Sequence, residues 1–154
     1  MSDVLPSQPR RAGLIDQLRT RAAVGSALAL AKLPPHTLRR LLRGVSTGAR
    51  PASYAEVREL RDTVLSVSAF CRGGSACLVR SLATALLCRS RGLWPEWCVG
   101  VLSAPPFTAH AWLEAEGRIV DEPMSSADFA KFFTITATTP TGPAVPTPAE
   151  ATQT

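Results

Sequence analysis

The feature that most constrains the fold is a change of hydrophobic period near Gly92. Before this glycine, apolar residues recur with the spacing of helices that bury one face. After it they alternate or run together, as they do in strands. The chain has 154 residues, of which 45% are hydrophobic and 19% charged, which suits one core and excludes a wholly disordered protein. We therefore predict a single α+β domain with its helices first and its sheet second.

Four segments before Gly92 have the period and the boundary residues of helices. We predict them at Leu14–Lys32, His36–Arg43, Ser53–Phe70 and Ala76–Arg91. Gly44 is the expected C-cap of the second helix, and Ser53 with Glu56 forms a capping box at the start of the third. Ser75 is the expected N-cap of the fourth, which is the best defined of the four.

The second half of the chain has the pattern of a small antiparallel sheet. The predicted strands are Trp97–Leu102, Thr108–Glu116 and Gly117–Asp121. The last two form a hairpin that turns at Glu116 and Gly117. A second capping-box pattern, Ser125 with Asp128, predicts a last short helix over Ser125–Phe133.

Charge and cysteine content limit the compartment. Seventeen Lys and Arg against twelve Asp and Glu give a net charge of +5, and residues 1–60 hold ten of the basic and four of the acidic residues. The four cysteines have neither CxxC spacing nor the density of a disulfide scaffold, so we expect a reduced, cytoplasmic chain. The apolar run Ala22–Ala31 is too short to span a bilayer, and no stable membrane insertion is expected.

Three residues form a candidate catalytic constellation. Cys77 lies at the second position of the predicted fourth helix, where unpaired backbone N–H groups and the helix dipole favour the thiolate. His110 lies within a predicted strand, and Asp121 lies on the return arm of the hairpin. Each has an ordinary structural explanation, as a packed thiol, a partnered histidine and an edge-strand charge. Together they supply the nucleophile, base and orienting carboxylate of covalent catalysis.

The hairpin register predicts which side chains share a face. A two-residue turn pairs Ala115 with Arg118. Residues that face each other across a hairpin lie on the same side of the sheet, and so do residues two apart on one strand. By this rule His110 and Asp121 lie on the same side. Asp121 is then the diagonal neighbour of His110, at a separation of about 7–8 Å that the two side chains can bridge. The same alternation points Glu122 to the opposite face.

Several short segments together resemble a known family. They are CLVRSLA at residues 77–83, RSRG at 89–92, VGV at 99–101, AHAWLE at 109–114 and GRIVD at 117–121. In combination they resemble the lasso-peptide leader peptidases, in particular the stand-alone peptidase half of the split B protein, within the transglutaminase-like cysteine-protease superfamily. The resemblance extends over residues 53–133.

This resemblance implies a fold and a reaction. The fold is a transglutaminase- or papain-like cysteine peptidase core, in which the helix that bears the cysteine packs on a small antiparallel sheet. The implied roles are nucleophile for Cys77, base for His110 and orienting residue for Asp121, with no metal and no organic cofactor. The implied substrate is a ribosomally made precursor peptide, whose core a separate ATP-dependent cyclase then closes.

The resemblance also implies a partner and a division of the chain. Residues 1–52 contain no strand run from which a winged-helix recognition domain could form, so a separate leader-recognition protein is expected, and no nucleic acid. The predicted division is a disordered segment at residues 1–10, a helical basic region at 11–52, the peptidase core at 53–135 and a disordered Pro/Thr-rich tail at 136–154.

Three alternatives compete with the peptidase hypothesis. Arg72, Gly73 and Gly74 precede the cysteine as in arylamine N-acetyltransferases, but the spacing is one residue too long and the chain is too short for that fold. A zinc site is disfavoured because its candidate ligands lack finger or ribbon spacing; they are Cys71, Cys77, Cys88, Cys98 and His110. A non-catalytic basic adaptor would bind nucleic acid or an acidic partner through Arg39, Arg40, Arg43 and Arg50.

Overall fold

The computed structural model describes residues 13–122 and 126–138, and it has the predicted α+β order. The helices are α1 (Leu14–Leu30), α2 (Pro35–Ser46), α3 (Tyr54–Val67) and α4 (Cys77–Arg89). The strands are β1 (Arg50–Pro51), β2 (Leu93–Trp94), β3 (Glu96–Leu102), β4 (Ala109–Ala115), β5 (Arg118–Ile119) and β6 (Phe129–Ile135). Two 3₁₀ turns cover Phe70–Arg72 and Ser126–Asp128.

A four-stranded antiparallel sheet supports the helices. Its strand order is β5-β4-β3-β6, while β1 and β2 form a separate parallel pair. The face that turns to the helices contributes Trp97, Leu113 and Ile135 to the main core, together with Leu82 of α4. The Trp97 indole N–H also donates a hydrogen bond of 3.1 Å to Ser81 on α4. The helix that bears Cys77 is thus packed on an antiparallel sheet, and the predicted α+β papain-like core is confirmed.

Local capping chemistry sets some helix boundaries and not others. The predicted capping box is present: Ser53 caps the backbone N–H of Glu56, whose carboxylate accepts from the Ser53 N–H at 2.9 Å. The fourth helix is capped by Ala76 and not by Ser75, so it begins at the cysteine itself. The second helix continues through Gly44.

No helix in the described part of the chain is long and apolar enough to cross a membrane.

The prediction of a last short helix over Ser125–Phe133 is wrong. Only a 3₁₀ turn, Ser126–Asp128, forms in that region, and the chain then continues as β6. The reason lies in β3, which hydrogen-bonds to β4 on one side and to β6 on the other. Pairing and burial of Phe129 and Ile135 therefore override the local capping-box signal.

The helical N-terminal region shares the core with the rest of the chain. Ala27 of α1 and Leu42 of α2 are fully buried in the same cluster as Leu82. The described structure also extends past the predicted start of the tail, because Thr138 pairs with Thr47 as an isolated parallel bridge. The rest of the predicted tail and the predicted N-terminal disorder at residues 1–10 lie outside the described residues.

Gly100 generates the first prediction. It lies opposite His110, where the register between β3 and β6 shifts, and a methyl group there would collide with the backbone of Ala130. Because backbone atoms cannot move aside, we expect Gly100→Ala to lower the free energy of unfolding by about 1–3 kcal/mol in urea denaturation. Gly25→Ala is the matched control, since open space surrounds that exposed helical position and alanine favours a helix. Equal stability of the two variants would contradict the described register.

Candidate active site

Cys77 is the first residue of α4, and its side chain is half-buried. Arg80 stabilises the loop that leads into the helix, because it donates hydrogen bonds to the backbone carbonyls of Cys71 at 3.1 Å and Gly73 at 3.3 Å. Arg80 is itself almost completely buried. One side chain of the helix therefore fixes the position of the chain just before the candidate nucleophile.

His110 of β4 and Cys77 are brought together. The imidazole and the backbone N–H of Ala111 both lie near the Cys77 sulfur as potential hydrogen-bond donors, and both lower the pKa of the thiol. The sulfur thus lies against the edge of β4, next to the strand position that carries the imidazole. The sequence predicts the thiol at a helix start and the imidazole on a strand, and the tertiary structure brings these two side chains into proximity.

The third position differs from the prediction. The Glu122 carboxylate lies 3.6 Å from His110 Nε2. Asp121 instead accepts hydrogen bonds from the Tyr54 hydroxyl at 3.2 Å and from Arg58 Nε at 2.8 Å. The expectation that Asp121 lies beside His110, and that Glu122 points to the other face, is therefore corrected.

The error lies in where the strand ends. The predicted register is present, with Ala115 opposite Arg118 and the Val120 N–H bonded to the Leu113 carbonyl at 2.9 Å. However, β5 ends at Ile119 and Asp121 has a φ of +46°, so the alternation of side chains does not continue. Pro123 gives a sequence signal for this end, since proline is disfavoured inside a paired strand.

Glu122 is a buried carboxylate between two buried guanidinium groups. Its Oε1 lies 3.2 Å from Arg80 and 3.8 Å from Arg61, and all three side chains are less than a tenth exposed. Burial raises the pKa of Glu122, but the hydrogen bond with His110 and the charges of Arg80 and Arg61 outweigh it, so the pKa lies below its ordinary value. Glu122 is therefore ionised and faces the imidazole as a fixed negative charge.

The contact between Cys77 and His110 shifts the pKa values of both groups toward their charged forms. Burial raises the pKa of Cys77, but the hydrogen bonds from His110 and the Ala111 N–H and the positive charges of His110 and Arg80 lower it below its ordinary value. The pKa of His110 is raised to about 9, first by its hydrogen bond with Cys77 and then by Glu122. The site favours a thiolate beside an imidazolium, the reactive form of a cysteine nucleophile.

Two aromatic rings stack against the His110 imidazole. The His110 ring stacks on Phe129 with centroids 5.2 Å apart and on Trp112 at 6.0 Å. The Trp112 indole N–H donates to Glu114 at 2.9 Å, and Glu114 accepts from Lys131 at 2.6 Å. These contacts fix the ring plane and place π-electrons against the cation. Phe129 was missed from the sequence because it lies in the segment predicted as helix.

The other cysteines do not join this site. Cys71, Cys88 and Cys98 are free and completely buried. Among the residues that the structure describes, no three His, Cys, Asp or Glu side chains lie close enough to hold a metal ion. Cys77 with His110 supplies a thiol nucleophile beside an acid–base partner.

This difference predicts selective alkylation. Burial raises the pKa of Cys88 to about 12 and that of Cys98 to about 11, and it also raises the pKa of Cys71, whereas that of Cys77 is lowered. We expect iodoacetamide at neutral pH to label Cys77 first, as measured by peptide mass mapping over time. Earlier labelling of Cys88 would contradict the described burial.

Comparison with known proteins identifies a superfamily for this chain. The profile of the Transglutaminase-like superfamily matches residues 20–134, a span that includes Cys77, His110 and Glu122. No match was found among curated proteins or among solved structures. The matched span covers well over half of the chain, and the superfamily generally includes cysteine peptidases. The chain belongs to the transglutaminase-like superfamily.

Proposed function

We propose that this protein is a cysteine peptidase that removes the leader from a ribosomally made lasso-peptide precursor. The observation that carries the proposal is the contact of Cys77 with His110, whose other side faces the buried Glu122 carboxylate. This geometry and membership of the superfamily support the peptidase class. The lasso-peptide substrate follows from the resemblance of the CLVRSLA and AHAWLE segments to leader peptidases.

The reaction proceeds through a thioester. The Cys77 thiolate attacks the carbonyl carbon of the last leader residue, and the resulting C–S bond gives a tetrahedral intermediate. The His110 imidazolium then donates its proton to the departing amine as the C–N bond breaks. Neutral His110 takes a proton from water, the hydroxide displaces the thiolate, and the leader leaves as a carboxylic acid. The core peptide is released with a new free α-amine, on which the cyclase can act.

Glu122 has the orienting role that the sequence assigned to Asp121. A carboxylate beside the imidazole fixes the ring and stabilises the imidazolium that holds the proton. Arg61 and Arg80 keep this carboxylate ionised although it is buried. The proposed triad is therefore Cys77, His110 and Glu122, with Asp121 outside it, and the cleavage itself uses no cofactor.

The edge of the sheet supports a peptide as substrate. Within the described chain, β5 pairs only with Glu114 and Ala115 of β4. The strand edge at Ala109 is exposed and not covered by β5, and it lies two residues from the Ala111 N–H that faces Cys77. An extended peptide can add to such an edge by backbone hydrogen bonds, which would bring its carbonyl groups past the sulfur.

A separate recognition protein remains part of the proposal. Of the basic residues considered for docking, Arg39 lies 5.1 Å above the Phe133 ring and Arg50 pairs with Glu56 at 2.6 Å. These two therefore serve the fold of the chain itself. Arg40 and Arg43 are exposed one turn apart on α2, and we assign them to the docking surface for the partner or the leader.

The central experiment is cleavage of the precursor with Cys77→Ala. Without the thiol no thioester forms, so we expect leader release to be abolished, as followed by mass spectrometry with precursor and recognition protein present. Cys88→Ala is the matched control, because it removes a buried thiol of the same helix that lies outside the site. Circular dichroism checks that both variants are folded.

Two outcomes of this assay separate the hypotheses. Wild-type turnover by Cys77→Ala would overturn the assignment of Cys77 as the nucleophile, whereas the absence of leader release by the wild-type protein would favour the non-catalytic basic adaptor. Omission of the recognition protein should lower the cleavage rate by about 10²–10⁴ at precursor concentrations below saturation, since tethering raises the local substrate concentration. Equal rates with and without the partner would show that recognition resides in this chain.

The pH profile tests Glu122. Because the pKa of His110 is about 9, cleavage should decline as pH rises through that value and the imidazolium is lost. Glu122→Gln removes a negative charge that favours the imidazolium, so the alkaline limb should move to lower pH. Turnover at pH 8 should fall at least about tenfold, toward the roughly 10⁴-fold loss for the triad carboxylate of serine proteases. Glu116→Gln, at the exposed hairpin turn, is the control and should leave the profile unchanged.

A further inference from the structure

We infer that Asp121 is a positioning residue: its left-handed backbone conformation, anchored by one face of α3, turns the chain so that Glu122 faces His110. The inference rests on the proposed function, because it concerns how the proposed triad is assembled. It gives Asp121 a role through the backbone and through Glu122, with no contact of its own to the reacting atoms.

The backbone conformation is the first observation. Asp121 has a φ of +46°, and apart from Glu116 in the hairpin turn it is the one non-glycine residue with positive φ in the described part of the chain. L-residues avoid this region, although Asp and Asn tolerate it better than most. Such a conformation persists only where surrounding contacts hold it. Here it falls between the end of the hairpin and Glu122.

Three side chains of α3 supply those contacts. Tyr54 and Arg58 each donate to one oxygen of the Asp121 carboxylate, and Arg61 donates to the Asp121 backbone carbonyl at 2.8 Å. The spacing of these residues, four and then three positions, places them on one face of the helix. Arg118 of β5 lies 4.1 Å from the Tyr54 ring centroid and covers the contact from the hairpin side.

These contacts connect to the active site through the next residue. Arg61 holds the Asp121 carbonyl and also lies 3.8 Å from the Glu122 carboxylate. Continued strand geometry at Asp121 would point Glu122 to the face opposite His110. The turn at Asp121 therefore decides which of the two neighbouring carboxylates meets the imidazole.

A series at one position separates conformation from charge. Asp121→Asn keeps a residue that tolerates positive φ and removes the negative charge, whereas Asp121→Ala removes the tolerance and the two carboxylate anchors, leaving only the bond from Arg61 to the backbone carbonyl. Asp121→Gly restores the tolerance without the anchors. We expect kcat/KM to stay within about threefold of wild type for Asn, to fall about tenfold for Ala, and to recover in part for Gly.

The pH dependence of Cys77 alkylation is the second readout, and it needs no peptide substrate. The charged groups near Cys77 are His110, Glu122, Arg80 and Arg61, and Arg58 pairs with Asp121. If Glu122 leaves His110 in Asp121→Ala, the imidazolium is less favoured and thiolate formation shifts to higher pH. Asp121→Asn should keep the wild-type alkylation profile. A merely structural loss would lower the melting temperature without shifting this profile in the folded protein.

The outcomes are distinct from those of the proposed function. Wild-type protein without preferential Cys77 alkylation would overturn the proposed triad itself. A reactive wild-type Cys77, with Asp121→Asn as damaging as Glu122→Gln, would show that the Asp121 carboxylate acts directly and would overturn the inference. Wild-type behaviour of Asp121→Ala would also overturn it. If Asp121→Ala does not fold, the Tyr54→Phe and Arg58→Gln double variant should give a smaller shift in the same direction, and no shift would count against the inference.

Discussion

The structure of the site depends on one buried carboxylate, that of Glu122, and on the cations that surround it. Arg61 reaches it from α3, Arg80 from α4 and His110 from β4, so that a single charge joins the three elements that form the site. A buried ion cluster of this kind costs desolvation energy and is stable only when its members are all present, because loss of one partner leaves another charge buried and unpaired. This dependence couples the assembly of the fold to the assembly of the site.

The same cluster explains how a small domain holds a reactive pair in place. Arg80 contacts Glu122 and also the carbonyls of Cys71 and Gly73, so the loop before the nucleophile and the carboxylate behind the base share one anchor. Among the described residues no buried side-chain nitrogen or oxygen lacks a hydrogen-bond partner. Satisfied polar networks are rigid, and this rigidity keeps Cys77 and His110 next to each other.

Local sequence signals predicted a large part of the fold. The capping box at Ser53 and the helix start near Cys77 were readable because each depends on a few neighbouring residues. The hairpin register was readable for the same reason, since the turn at Glu116 and Gly117 determines which residues face each other. The strand β6 was not, because its pairing with β3 is a contact between distant segments that overrides a local helix signal.

The same distinction between local signals and contacts of distant segments applies to the candidate site. The sequence by itself determined that a thiol lies at a helix start, that an imidazole lies on a strand and that two adjacent acidic residues lie near the end of the hairpin. Only the tertiary structure decided which acid meets the imidazole. The deciding contact, from Tyr54 to Asp121, joins residues 67 positions apart. Strand alternation holds only while the strand remains paired. Pro123 indicates that the strand ends nearby, but the direction of the chain after Ile119 depends on contacts with α3, which no local pattern encodes.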